Sequence, residues 1–377
     1  MFALALLAVA QFEIAQKSFL IDEVVPIVVS GLAPNSKVTI RARSDDWASN
    51  AEYVADANGV VDTTKSADPM QLFWSARRIA EEHAPAEMWT LVAEASGNVV
   101  ATTTIQRRAV AADVKVTPLR ERGLVGTFYQ PPGEGKHPAI LVLGGSNGGL
   151  PPPNAAPGGL ASRGYAVLSL AYFGVEGLPP TLQFIPLEYF HAALDWLASQ
   201  PSVDASRIGV LGTSRGGELA LLLATIDPRI RCVIAYVPSS VAVSGCCDGR
   251  GEPAWTLGGH AIAYVNPRAR NNFIERARAA IPVERIHGAI LLISGRDDRV
   301  WPSSSMSQEI VTRLEHNHFA YPFKHLTYDH AGHAIGRPFT STVESISPRP
   351  LGGTPEGNAH ARADSWPQML AFLKANL

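Results

Sequence analysis

Apolar runs alternate with helix-like stretches over most of the chain after residue 110. Five short apolar runs are bounded by turn residues, as is typical of strands that are buried on both faces. They lie at 140–143, 166–170, 208–211, 232–236 and 289–294. Apolar residues at helical spacing predict helices at 186–197, 219–224 and 366–373. This alternation predicts a mostly parallel sheet covered by helices.

The chain before residue 110 has a different pattern. Short strand-like runs lie at 23–30, 37–42 and 89–94, and Gly, Pro and Asn turn signals separate them. Such spacing is typical of a small β-sandwich. We therefore predict an immunoglobulin-like β-sandwich domain at 11–110 and a larger α/β domain at 111–377.

The first ten residues have the form of a possible signal peptide. The apolar run at 2–9 leads into Ala8, Val9 and Ala10, a small-x-small pattern typical of a cleavage site. The run is too short to span a bilayer and has no preceding Lys or Arg. A buried first strand or a mis-assigned start is the alternative. Cleavage at this site predicts a periplasmic or secreted protein, and an uncleaved chain predicts a cytoplasmic one.

Composition excludes little and adds little. The 377 residues include 32 Lys and Arg against 34 Asp and Glu, a formal net charge of -2. Basic residues occur only in short groups such as Arg107 with Arg108, so no nucleic-acid partner is predicted. Cys232, Cys246 and Cys247 are too few for a disulfide framework, and adjacent cysteines rarely pair.

The most informative motif is Gly-Thr-Ser-Arg-Gly at 212–216. It follows the apolar run at 208–211 and precedes a helix-like stretch, which is the context of a nucleophile elbow. Ser214 would occupy a strained turn with its side chain exposed, and the flanking glycines leave room for that turn. A plain Gly-rich strand-to-helix turn is the alternative interpretation. The sequence therefore predicts Ser214 as a nucleophile.

An acid and a histidine should follow such a serine in chain order. The loop after the run at 289–294 offers Asp297 and Asp298, and the spacing to Pro302 favours Asp298. Asp297 is then expected to cap or brace the loop through backbone hydrogen bonds.

Three histidines stand near the predicted last strand at 325–328. His333, which follows a glycine on a loop, is the favoured base. His325 is expected to be packed or at the surface, and His330 to orient the loop or bind substrate. A zinc site is not predicted, because no Cys, Asp or Glu set at ligand spacing accompanies the histidines.

These residue types fit acyl transfer. His333 would take the proton of Ser214, and Asp298 would hold the imidazole in the required tautomer. The amide of Arg215 is one predicted oxyanion donor, and an amide of Ser146 or Asn147, in the Gly-rich loop at 144–149, is the other. That loop matches neither a P-loop nor a dinucleotide fingerprint, so no nucleotide cofactor is predicted.

Three features allow more than one interpretation. Residues 187–197 are expected to form the core face of a helix rather than an acyl pocket. The segment at 238–272 is either a substrate-covering lid or a plain connection. The Arg215 side chain either meets an anionic group or forms a salt bridge to Glu218.

Beyond these motifs, the chain resembles a known family over nearly its whole length. The matching segments are 29–34, 38–42, 55–59, 68–74, 158–161, 170–174, 178–179, 187–190, 212–216, 297–301, 331–333 and 352–366. They resemble the acyl-CoA thioesterases grouped with bile acid-CoA:amino acid N-acyltransferase. The resemblance implies a small N-terminal β-sandwich and a C-terminal α/β-hydrolase domain, with Ser214, Asp298 and His333 at the family's nucleophile, acid and base positions.

The nucleophile separates the activities within that family. Its amino-acid transferases resemble this pattern with Cys at the position of Ser214, and a serine ester is expected to pass its acyl group to water more readily. The resemblance therefore implies a hydrolase that cleaves acyl thioesters through an acyl-enzyme. The predicted partner is a small-molecule acyl thioester or ester substrate, and no cofactor is predicted.

Other activities remain alternatives. An exported protein would not meet coenzyme A, and would favour an ester, thioester or amide outside the cytoplasm. A carboxylesterase or peptidase of the same fold, an N-acyltransferase, and a non-catalytic binding protein are the other candidates.

Overall fold

A computed structural model describes residues 9–80, 87–246, 251–267, 273–336, 339–343 and 350–377. The chain divides into two compact units, Met1–Ala109 with Pro338–Pro348 and Val110–Arg337 with Arg349–Leu377. The sequence did not predict that a segment near residue 340 groups with the first unit. Most of the possible signal peptide, together with Cys247, lies outside the described residues.

Over its described residues the first unit has two sheets, one short α-helix, α1 (Gln71–Trp74), and a 3₁₀-helix at Thr63–Lys65. Its strands are β1 (Gln11–Glu13), β2 (Ser18–Leu20), β3 (Val28–Ser30), β4 (Lys37–Arg43), β5 (Trp47–Val54), β6 (Val61–Asp62), β7 (Arg77–Arg78), β8 (Met88–Ala95) and β9 (Asn98–Arg108). One sheet has the order β1-β3-β6 and the other β2-β9-β8-β4-β5-β7.

Alternation of apolar and polar residues decides which face of these strands is buried. In β4, Val38 and Ile40 are fully buried whereas Lys37 and Arg41 point outward. Of the strand predicted at 23–30, only the last three residues form a strand, β3. Pro26 precedes it and has no N–H to donate to a neighbouring strand.

The segment around residue 340 is held within the first unit by hydrogen bonds. The buried Arg107 guanidinium donates from Nη2 to the Phe339 carbonyl at 3.1 Å. The Thr342 N–H donates to the Trp74 carbonyl at 2.9 Å. These backbone carbonyls and amides are paired, as buried groups must be.

The second unit is dominated by an eight-stranded sheet. The strands of this unit are β10 (Lys115–Glu121), β11 (Leu124–Gln130), β12 (His137–Leu143), β13 (Ala166–Ala171), β14 (Ile185–Pro186), β15 (Val203–Thr213), β16 (Ile230–Tyr236), β17 (Trp255–Leu257), β18 (His260–Ala261), β19 (Ala289–Gly295) and β20 (Phe323–Tyr328). The large sheet has the order β10-β11-β13-β12-β15-β16-β19-β20, and pairing is parallel from β13 to β20.

Helices cover both faces of this sheet. The helices of this unit in the described ranges are α2 (Pro157–Ala161), α3 (Leu187–Ser199), α4 (Arg215–Ala224), α5 (Phe273–Ala279), α6 (Ser303–His316) and α7 (Pro355–Asn376). Because successive strand residues point to opposite faces, Leu141 and Val210 pack with α3, α4 and α6, whereas Ile140 and Leu211 pack with α2 and α7. None of the helices in the described ranges is long and apolar enough to cross a membrane.

Only part of the described segment between β16 and β19 packs into the core. Its strands β17 and β18 form a small sheet with β14. Trp255 is buried, and its ring lies against Tyr172 and Phe190, with ring centroids 5.9 and 6.3 Å away. The helix α3 likewise buries Phe190 and Leu194 in the core, as predicted for residues 187–197.

The carboxyl ends of the parallel strands lie on one edge of the sheet. The Gly-rich loop follows β12, Ser214 follows β15, Asp298 follows β19 and His333 follows β20. In open α/β sheets this edge is where ligands bind, so the fold alone brings the four predicted segments to a common region.

Candidate active site

Ser214 occupies a sharp turn between a strand and a helix. It lies between the end of β15 and the start of α4, with φ 60° and ψ -118°. A non-glycine residue in this region costs roughly 1–3 kcal/mol, so the surroundings must hold it there. The Ser214 N–H donates to the Tyr236 carbonyl at 2.8 Å, and its carbonyl accepts from the Glu218 N–H at 3.0 Å.

The two motif glycines are required by close backbone approaches. A Cβ on Gly212 would lie 1.9 Å from the Gly216 carbonyl oxygen. A Cβ on Gly216 would lie 2.4 Å from the carbonyl oxygens of Leu143 and Gly144. Neither position can carry a side chain unless the backbone moves, which explains the Gly-x-Ser-x-Gly pattern sterically.

Ser214, His333 and Asp298 form a continuous hydrogen-bonded chain. His333 Nε2 lies 2.8 Å from Ser214 Oγ, and His333 Nδ1 lies 2.8 Å from Asp298 Oδ2. The Asp298 side chain is 1% exposed and that of His333 10%. Because an ionised carboxylate can only accept, Nδ1 donates to Asp298, which leaves Nε2 to accept the serine proton. The tautomer is therefore the one that a general base requires.

The Asp298 carboxylate also closes its own turn. Its Oδ1 accepts from the N–H groups of Val300 and Trp301 at 2.9 and 3.3 Å. Its Oδ2 accepts from the Ser303 hydroxyl at 2.6 Å in addition to His333. Ser303 was not predicted as part of the site. The sequence signal that could have identified it is a serine directly after Pro302, at the start of α6.

Asp297 hydrogen-bonds to the neighbouring loop through its backbone N–H rather than through its carboxylate. Its N–H donates to the Ala331 carbonyl at 2.9 Å, which ties the acid loop to the histidine loop. Its carboxylate is half exposed and lies 3.7 Å from His330 Nδ1. The side chain that accepts from turn amides is that of Asp298.

The tail motif around Gly352 connects the acid loop to the histidine loop. Gly352 pairs with Asp298 and Gly353 with Ala331 in isolated bridges. The His333 N–H donates to the Leu351 carbonyl at 2.8 Å. The two loops are thus linked through one short backbone segment.

The three neighbouring histidines have three different partners. His325 Nε2 lies 2.7 Å from the buried Ser294 Oγ, and burial, with a smaller contribution from Arg296, lowers the pKa of His325. His330 is largely exposed beside Asp297. Across the described ranges, no group of three His, Cys, Asp or Glu side chains is arranged to hold a metal ion.

The Gly-rich loop borders the serine. A Cβ on Gly145 would lie 3.7 Å from Ser214 Oγ, so the loop backbone lies next to the hydroxyl. Ser146 and Asn147 follow in an exposed turn. Arg215 opens α4, where the first amides have no acceptor within the helix. The assignment of Arg215, Ser146 and Asn147 as oxyanion donors stays a prediction.

The Arg215 side chain is paired within the protein and is not a free cation. Its Nη1 lies 3.0 Å from Glu218 Oε2, and its Nη2 donates to the Val243 carbonyl at 2.8 Å. Glu218 Oε1 accepts from the Trp255 indole N–H at 2.7 Å and from the Val243 N–H at 3.2 Å. Burial raises the pKa of Glu218, while Arg215 and these donors oppose the rise. The Arg215 side chain was predicted either to meet an anionic group or to pair with Glu218, and the structure contains the salt bridge to Glu218.

Solved structures of two peptidases share the fold. The acylaminoacyl peptidase of Pyrococcus horikoshii is 15% identical with a TM-score of 0.52, and the match covers 97% of this chain and 56% of the peptidase. A puromycin-hydrolyzing peptidase of Mycobacterium tuberculosis is 13% identical with a TM-score of 0.51, covering 95% and 66%. At these identities the likeness concerns the fold alone, which is the predicted α/β-hydrolase fold.

Similarity to characterised sequences is more specific. Acyl-coenzyme A thioesterase 3 of Mus musculus is 30% identical over 400 residues, covering 95% of this chain and 92% of the relative. Mitochondrial acyl-coenzyme A thioesterase 2 of Homo sapiens is 29% identical over 401 residues, covering 94% and 82%.

Family models match both parts of the chain. Residues 22–121 match the acyl-CoA thioester hydrolase/BAAT N-terminal region, where BAAT denotes the bile acid-CoA:amino acid N-acyltransferase. Residues 185–377 match the BAAT / acyl-CoA thioester hydrolase C-terminal region. The chain therefore belongs to the acyl-CoA thioester hydrolase/BAAT family, as its motifs predicted.

Proposed function

We propose that this protein is a serine hydrolase that cleaves acyl-CoA thioesters through an acyl-enzyme on Ser214. The observation that carries the proposal is the continuous hydrogen-bonded chain from Ser214 Oγ through His333 to Asp298. Family membership supplies the substrate class, because the relatives are acyl-coenzyme A thioesterases.

In the acylation step, Ser214 Oγ attacks the thioester carbonyl carbon while His333 Nε2 takes the hydroxyl proton. The Asp298 carboxylate stabilises the imidazolium that forms. The carbonyl oxygen becomes an oxyanion, which the amide of Arg215 and an amide of the 144–149 loop would bind. Collapse of this intermediate breaks the C–S bond, and the thiolate of coenzyme A leaves with the proton from His333.

In the deacylation step, water replaces the thiol. His333 Nε2 takes a proton from the water as its oxygen attacks the ester carbonyl. The second tetrahedral intermediate then breaks the bond between the carbonyl carbon and Ser214 Oγ, His333 returns the proton to Oγ, and the carboxylic acid is released. Ser214 is an oxygen nucleophile, and its acyl ester is suited to hydrolysis. This chemistry favours a hydrolase over an amino-acid transferase.

The test measures thiol release from a panel of acyl-CoA substrates of increasing chain length. Wild type should turn over part of the panel, and Ser214→Ala should lose roughly 10³- to 10⁶-fold in kcat because the nucleophile acts as part of a unit. Ser206→Ala is the matched control, since Ser206 is an exposed serine on the same strand, β15, and should leave kcat unchanged.

Other outcomes identify the alternatives. Turnover of p-nitrophenyl esters or peptidyl amides, with no acyl-CoA cleaved at any chain length, would establish an esterase or peptidase. Formation of acyl-glycine or acyl-taurine when the amine is supplied would establish a transferase. A wild-type protein in which a fluorophosphonate fails to label Ser214 would be a binding protein.

A further inference from the structure

Ser303 is a buried serine whose hydroxyl lies against the proposed catalytic acid. Its relative exposure is 0%, and its Oγ–H donates to Asp298 Oδ2 at 2.6 Å. The same oxygen accepts the Nδ1–H of His333 at 2.8 Å. The three-residue chemistry described above assigns no role to this hydroxyl.

The backbone fixes Ser303 in this position. It is the first residue of α6, and its N–H donates to the Trp301 carbonyl at 2.7 Å. A serine at a helix start often accepts from an amide of its own helix. In this protein, however, the Ser303 hydroxyl donates to the acid.

Two donors on one oxygen affect each other. Each draws on the negative charge of Asp298 Oδ2, so the bond from Ser303 limits the charge available to His333. The Asp298 side chain is almost fully buried, so solvent has little access to replace a missing donor. Oδ1 is already occupied by two turn amides, which leaves the Ser303 hydroxyl to define the other side of the carboxylate.

Resting on the proposed function, we propose that Ser303 is a positioning residue for the active site. Its hydroxyl fixes the orientation of the Asp298 carboxylate and limits how strongly that carboxylate stabilises the protonated form of His333. Ser303 touches neither the substrate nor the reacting atoms, and acts only through Asp298.

The consequence appears in the pH profile. Without the hydroxyl, Oδ2 interacts with His333 alone and stabilises its imidazolium form more strongly. Since only the neutral imidazole accepts the serine proton, the acidic limb of reactivity should move to higher pH in Ser303→Ala, by roughly half a pH unit to one unit.

Other charged groups near the site are the same in wild type and variant. Asp297 and Arg299 flank Asp298 in the acid loop, and His330 lies beside Asp297. The paired Arg215 and Glu218 lie on α4. These groups set the absolute position of the acidic limb, and a difference between wild type and Ser303→Ala therefore reports the missing hydroxyl.

The experiment measures the rate of Ser214 labelling by a fluorophosphonate from acid to neutral pH. This probe reports His333 without depending on the natural substrate. Ser307→Ala is the matched control, because Ser307 is also fully buried on α6 and its hydroxyl has no hydrogen-bond partner among the described residues. Only Ser303→Ala should shift the acidic limb. At pH values below this limb, its labelling rate should be roughly 3- to 10-fold lower than that of wild type.

Two further measurements separate positioning from a merely structural role. Ser303→Thr retains a hydroxyl and should retain the wild-type limb. The downfield NMR signal of the proton between His333 and Asp298 should move in Ser303→Ala and stay in place in Ser307→Ala. An unshifted limb in Ser303→Ala, or equal shifts in the two alanine variants, would overturn the inference.

The outcomes also distinguish this inference from the proposed function. If wild type is not labelled at Ser214, the proposed hydrolase fails. If wild type is labelled and Ser303→Ala has the wild-type limb, the role of Ser303 alone fails.

Discussion

Replacing Glu218 by glutamine should strongly destabilise the larger unit. The Glu218 side chain is 0% exposed and that of Arg215 5%, and their closest atoms are 3.0 Å apart. Glutamine keeps an oxygen that can accept from the Trp255 indole, but it places an uncharged amide against the guanidinium. The Arg215 charge is then buried without a counter-charge.

The size of the effect follows from that distance and burial. At 3.0 Å and an effective dielectric constant of about 20, the attraction that is lost amounts to about 5 kcal/mol. Breaking a buried pair from one side typically costs about 3–5 kcal/mol. We therefore expect Glu218→Gln to lower the free energy of unfolding by about 3–5 kcal/mol, a large part of the stability of a typical domain.

Urea unfolding followed by circular dichroism measures this loss as a change in midpoint at constant slope. The control is Asp195→Asn, which breaks a largely exposed pair with Arg229 and should cost less than about 1 kcal/mol. The double variant Arg215→Met/Glu218→Gln removes the buried charge and should recover more than half of the loss. A cost below about 1 kcal/mol for Glu218→Gln would refute the reasoning from buried charge.

Three further predictions concern the elbow, the buried Trp255 and the half-buried His325. Gly212→Ala should abolish fluorophosphonate labelling and lower the melting temperature, because its Cβ would lie 1.9 Å from the Gly216 carbonyl oxygen; a wild-type labelling rate would contradict this. Trp255→Phe should cost about 1.5–3 kcal/mol in urea unfolding, because the hydrogen bond from the indole N–H to the Glu218 carboxylate is lost; a change within error would contradict this. Burial holds the pKa of His325 below its ordinary 6.5, so the unfolded chain binds a proton that the folded protein does not as pH falls below 6.5. When the pH is lowered from 7.5 to 5.5, the urea concentration at the unfolding midpoint should therefore fall by more in wild type than in His325→Gln. Equal falls in the two proteins would refute the assignment.

The strands β12, β13, β15, β16 and β19 of the large sheet could be predicted because their apolar runs are buried on both faces. Continuous apolar runs such as 289–294 identify them without any knowledge of neighbours. The antiparallel strands β10 and β11 were not predicted, and β10 is mostly exposed. The helix α6 was not predicted, because most of its residues are polar. Its buried apolar side chains are Met306, Ile310 and Leu314, and three serines open the helix. Sparse periodicity of this kind gives a weak signal in sequence.

The residues of the site were likewise only partly predictable from the sequence. Chain order and loop context pointed to Ser214, Asp298 and His333, which the structure places within hydrogen-bond distance of one another. The partners of their neighbours could not be predicted. Trp255 reaches Glu218 across 37 positions of sequence, and such a contact depends on how separate elements pack. Local spacing carries no information about it.

The segment around Phe339 has a consequence for synthesis of the chain. The first unit is not complete when residue 109 has been made, because Trp74 and Arg107 receive their hydrogen-bond partners from residues that follow most of the second unit. At about 5–20 residues per second, a ribosome needs roughly 10 to 50 s to reach them. During that interval the emerging β-sandwich has unpaired carbonyls where the late segment will add, so its final stability is acquired only near the end of translation.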